Sequence, residues 1–82
     1  MKKLTRECAE RLKALGYTHI TAIVKKYYNT TYLKVESIDS VVERGGYMVP
    51  TARSFEGYPI GINENHIPKE FKCIRFMDAV YK

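Results

Sequence analysis

Tryptophan is absent, cysteine occurs twice and proline three times in these 82 residues. No apolar run approaches the roughly 18 residues from which a bilayer-spanning helix is built, so no membrane partner is expected. Cys8 and Cys73 are too few for the disulfide framework of small secreted domains, and thiols of a reducing, cytoplasmic setting are expected instead. Two lysines near the start resemble the opening of a secretion signal, but charges at Arg6, Glu7, Glu10, Arg11 and Lys13 interrupt the apolar stretch that such a signal needs. Without export, the glycosylation pattern Asn29-Thr30-Thr31 carries no weight.

Motifs with a dedicated chemistry are missing as well. No glycine-rich phosphate cradle of the GxGxxG or GxxxxGK[ST] kind occurs, and neither does zinc-finger spacing, a GXXG clamp or an RNP1-like aromatic octamer. Cys8, His19, His66 and Cys73 are the ligand types of a zinc site, but their gaps match no compact ligand pairing. Glu64 and His66, with Arg53 or Lys69 nearby, are the only acid–base grouping in sight, and an exposed polar loop accounts for them equally well. The expectation is a protein without metal, cofactor or enzymatic activity.

Charge is present and unevenly placed. Fourteen Lys and Arg stand against nine Asp and Glu, a net charge of +5; residues 1–34 carry +6 of it and residues 35–82 carry −1. A basic half favours partners with phosphate or acidic surfaces.

The periodicity outlines one domain over residues 1–82. Leu4, Cys8, Leu12 and Leu15 form a helical apolar stripe, Thr5 is a suitable N-cap, Leu4 and Ala9 stand at staple positions, and Gly16 is a suitable stop, which predicts a helix over 4–15. Two β-rich runs follow, with Ile20, Val24, Leu33 and Val35 on one face. A turn centred on Asn29-Thr30 sets Tyr27 opposite Tyr32 and Lys25 opposite Lys34 on the other face. "SVVERGGYMV" reads as a second hairpin turning at Gly45-Gly46 or as a short helical turn ended by those glycines, with the hairpin preferred because Val41 and Val42 favour strands. Residues 54–71 read as a long ordered loop, and "KCIRFMDAVY", apolar on both faces, as an interior strand. The expected architecture is α+β: the N-terminal helix packed on one face of a mostly antiparallel four- to five-stranded sheet, leaving His19, Ile23, Tyr27, Tyr32 and Ile38 on an open face.

The hairpin "KKYYNTTYLK" is the best functional clue. Lys25, Lys26 and Lys34 are placed to neutralise phosphates while Tyr27 and Tyr32 stack on bases, and Lys2, Lys3, Arg6 and Lys13 add longer-range attraction. Nucleic acid, or an assembly containing it, is therefore the first partner expected. A second possibility is a phage-type accessory protein that inhibits or modulates a larger host or defence protein by stoichiometric binding through Ile23, Tyr27, Tyr32, Tyr47 and Tyr58. A homodimer packed sheet to sheet is the third. The same side chains also have a plain structural use, since tyrosine favours strands and lysine guards an edge.

Overall fold

The computed structural model describes residues 3–48 and 62–81, apart from the Lys25 side chain. In chain order the elements are α1 (Arg6–Ala14), β1 (His19–Tyr27), β2 (Thr30–Ser37), α2 (Ile38–Glu43), β3 (Ile62–Asn63), a 3-10 turn (Glu64–His66), β4 (Cys73–Arg75) and α3 (Phe76–Ala79). Among the described residues the strands form one four-stranded sheet in the order β3-β2-β1-β4. β1 is antiparallel to β2, β2 is antiparallel to β3, and β4 is parallel to β1. The α+β class and the helix-on-sheet arrangement are as expected.

α1 forms where its local signals say it should. Thr5 accepts the Cys8 backbone N–H through its hydroxyl at 3.1 Å. At the other end the N–H groups of Gly16 and Tyr17 donate back to the carbonyls of Lys13 and Leu12, each at 3.0 Å, with Gly16 in the left-handed region at φ +96°. This reciprocal pattern closes a helix when glycine follows the cap. Leu4, Cys8 and Leu12 are buried in one cluster with Ile20, Ile38, Val41, Ile74 and Ala79. The cluster draws on all three helices, on β1 and on β4, so the core lies between one face of the sheet and the helices. Leu15, expected on the same stripe, is exposed because α1 ends one residue earlier and Leu15 serves as its C-cap.

The second hairpin is not formed. Ile38–Glu43 is helical, with the Ser37 hydroxyl accepting the Ser40 N–H at 3.1 Å, and Gly45 and Gly46 close it with the same reciprocal bonds to Val42 and Val41. Capping at both ends outweighs the strand preference of two valines. The final segment also departs from expectation. Only Cys73–Arg75 is strand, at an edge of the described sheet, and the chain then turns into α3. Its two apolar faces arise because Ile74 joins the core from a strand and Ala79 joins it from a helix. Within residues 62–71, expected as loop, β3 and the 3-10 turn intervene; the remainder of that expected loop lies outside the described residues.

The register of the main hairpin differs too. At its base Ile20 is opposite Glu36, Ala22 opposite Lys34 and Ile23 opposite Leu33; a bulge at Val24 follows, after which Lys25 is opposite Tyr32 and Tyr27 opposite Thr30. Tyr27 therefore does not face Tyr32, and Lys25 does not face Lys34. The two-residue turn is Tyr28-Asn29, one position earlier than expected, with Tyr28 at φ 52°. Moving the turn leaves β-branched Thr30 inside the strand, where it belongs, and out of the turn.

Because facing residues of an antiparallel pair share a side, Lys34 and Glu36 lie on the side of Ile20, the side covered by the helices. Thr21 and Val35 face each other on the opposite side and are buried, as is Ile62 beyond them. His19 is also buried, its ring stacked on Phe71 with centroids 3.6 Å apart, and Ile38 belongs to the core. Of the residues expected on an open face, Ile23 and Tyr27 are exposed and Tyr32 is half-buried.

Candidate binding site at the hairpin tip

β1 and β2 extend beyond the helix-covered core, and the two-residue turn holds their far end together. Tyr27 and Tyr28 stand there 55% and 85% exposed. Their rings meet edge to face, with centroids 4.4 Å apart and planes at 78°. This geometry suits the ring quadrupoles and holds the pair as a unit while leaving ring surface open. Lys26, adjacent in β1, is exposed as well. Tyr28 bears the positive φ that glycine or asparagine would adopt more easily, so a bulky aromatic occupies a strained position at the most exposed point of the hairpin.

Lys34 is not part of this surface. It is 2% exposed, and its Nζ lies 3.4 Å from the Glu36 carboxylate, which also accepts from Arg44 at the end of α2. The spacing of the lysines carried no sign of this, because an alternating strand reads the same whichever face is covered. Tyr32 is half-buried and faces Lys25 across the ladder. The tip thus keeps Lys26 and Tyr27 of the expected set, gives up Lys34, and gains Tyr28, which the expected register had left out; the Lys25 side chain lies outside the described residues. The repeated tyrosine beside Asn29 was the available signal, since asparagine is a common turn residue.

The other expected positions are dispersed. Lys3 and Arg6 are exposed. Lys13 is held by Asp39 at 2.9 Å and by Glu10 at 3.8 Å, and the Asp39 hydrogen bond followed by the two carboxylate charges raises its pKa. Tyr47 is exposed, and its carbonyl accepts from the Arg44 guanidinium at 3.2 Å. Lys2, Arg53 and Tyr58 lie outside the described residues. Glu64 and His66 are exposed on the 3-10 turn, and Lys69 is exposed beyond it. The Cys8 thiol donates to the Ala79 carbonyl at 2.9 Å in the core. Among the described residues, no three His, Cys, Asp or Glu side chains are grouped to hold a metal ion. Nor is any described helix long and apolar enough to cross a membrane.

No family model, curated protein or solved structure matches the chain.

Proposed function

We propose that the chain is a non-enzymatic module that binds single-stranded nucleic acid through the tip of the β1–β2 hairpin. The observation that carries this reading is the exposed edge-to-face pair Tyr27–Tyr28 with Lys26 beside it. Two ring surfaces at different inclinations offer separate platforms for two bases, and stacking of this kind contributes about 1–3 kcal/mol per base without selecting sequence. Lys25 and Lys26 neutralise backbone phosphates, and the +6 balance of residues 1–34 draws a polyanion toward this half of the chain.

The test is fluorescence anisotropy with labelled single-stranded DNA and RNA at two salt concentrations. Tyr28→Ala is expected to weaken binding by about 5- to 100-fold, the equivalent of one lost stack. Lys26→Glu should weaken binding and make its salt dependence shallower by about one counterion. Binding that ignores both changes would remove the hairpin from the function. So would recovery of one stoichiometric protein from lysate after nuclease treatment, with no nucleic acid retained.

A further inference from the structure

β4 accompanies β1 only at His19, Ile20 and Thr21, after which the chain leaves the sheet at Phe76. Past Thr21, no other described strand lies on that side of β1. Residues of a strand direct their backbone groups alternately to its two neighbours. The His19 N–H donates toward Lys72, ahead of β4, as does the N–H of Thr18 just before the strand, while the Thr18 carbonyl accepts from Ile38, just after β2; regular alternation starts at His19. Carried along the strand, this alternation turns the Ile23 N–H and C=O toward the side that β4 has left.

A groove of about 460 Å³ opens at the same place, floored by residues 21–23 and walled by residues 75–78. Ile23 is 58% exposed and Met77 is 61% exposed, so two large apolar side chains flank it without cover. Its charged wall is self-neutralised, since the Arg75 Nε donates to the Asp78 carboxylate at 2.8 Å. Lys26, exposed, follows farther along β1 beyond the residues that line the groove.

We propose that this groove receives an extended, acidic segment of a partner protein, which adds to the sheet beside β1. Its backbone pairs with Ile23, an apolar side chain enters between Ile23 and Met77, and a carboxylate meets Lys26. Strand addition draws affinity from main-chain bonds and specificity from alternate side-chain pockets. Charge decides between an acidic segment and a second copy. Two β1 edges brought together would gather four lysines in an assembly of two chains each at +5, and lysine on an edge is a known guard against such pairing. The groove is lined by residues other than the Tyr27–Tyr28 pair and shares only the neighbouring lysine with the tip, and the proposal does not rest on nucleic-acid binding.

The experiment titrates the isotope-labelled full chain with a capped six-residue peptide of alternating valine and glutamate. Amide shifts and the hydrogen exchange of Ile23 are the readouts. Shifts centred on Ala22–Lys26 and Met77 are expected, together with at least tenfold slower exchange at Ile23 near saturation. A valine–lysine peptide, and the valine–glutamate peptide N-methylated at alternate residues, should each bind at least tenfold more weakly. Ile23→Asn and Met77→Asn, both at exposed positions and neutral, should each weaken the peptide at least tenfold and leave oligonucleotide binding at the tip intact. Four outcomes overturn the proposal: no shifts at millimolar peptide, equal binding of the lysine peptide, Ile23 protection already present in the free monomer, or a concentration-dependent dimer that protects Ile23 without peptide.

Discussion

Lys34 and Glu36 stand two positions apart on β2 with Nζ and Oε1 separated by 3.4 Å, and neither side chain is more than 1% exposed. Arg44, reaching back from the end of α2, supplies a second cation to the same carboxylate. A domain this small has few apolar residues with which to fill its interior, and here a charged trio occupies part of the space between sheet and helix end. Such an arrangement adds little net stability, because desolvation offsets most of the attraction; removing one member, however, strands the others. Glu36→Ala is accordingly expected to lose about 3–5 kcal/mol in urea unfolding. The paired change Lys34→Met with Glu36→Met should lose markedly less. If the double variant proves the weaker of the two, the trio stabilises the fold in its own right.

Gly46 permits a close crossing. The Leu4 N–H donates to its carbonyl at 2.7 Å, tying the residue before the α1 cap to the end of α2, and a Cβ at Gly46 would lie 2.2 Å from the Leu4 carbonyl oxygen. Gly46→Ala therefore combines a left-handed φ of +94° with a backbone clash, and a loss of about 2 kcal/mol or more is expected. Gly45→Ala shares the φ but finds its nearest neighbour at 3.9 Å, so about 1 kcal/mol is expected there. Thermal unfolding of the two variants side by side checks the difference.

Tyr28 sets stability against binding. Asparagine tolerates the left-handed region better than an aromatic side chain does, so Tyr28→Asn should hold or raise the unfolding midpoint, by a few tenths to about 1 kcal/mol. The same variant should lose oligonucleotide affinity. A variant that loses stability instead would mean that the Tyr27 contact is worth more than the strain.

Burial raises the pKa of the Cys73 thiol above its ordinary value. A group whose folded pKa is raised contributes stability that is fully present below its unfolded pKa and is lost as pH rises through the folded one. The urea midpoint should therefore fall as pH climbs through and beyond the ordinary thiol range, roughly from pH 8.5 upward. Cys73→Ser should flatten that decline. Equal slopes for the two proteins would assign the alkaline loss to other groups, such as Lys13, whose pKa is raised through Asp39.

The legible parts of this fold are those specified by neighbours in sequence. Thr5, Leu4, Cys8, Leu12 and Gly16 lie within thirteen positions of one another, and the helix they describe is present. The Gly45-Gly46 stop of α2 was visible too, but the strand preference of Val41 and Val42 was weighed above it. Register was not legible, because matching apolar faces assumes that charges turn to solvent, whereas Lys34 and Glu36 turn inward as an ion pair. That assumption also put Lys34 on the binding surface and left Tyr28 out. The groove beside Ile23 depends on where β4 stops, a property of residues some fifty positions downstream of β1.

The extra residue at Val24 separates the hairpin into two stretches that follow different rules. Up to Ile23, each side chain points where the interior requires; beyond Lys25, the two sides are exchanged relative to an uninterrupted strand. Deleting that one residue would leave Lys25 opposite Tyr32, Lys26 opposite Thr31 and Tyr27 opposite Thr30, each on its present side, in a ladder without the bulge. The bulge thus absorbs one residue without turning over the outward end of the ribbon, and the length of β1 can change there by one while the contact surface at the tip and the folded base both keep their facing.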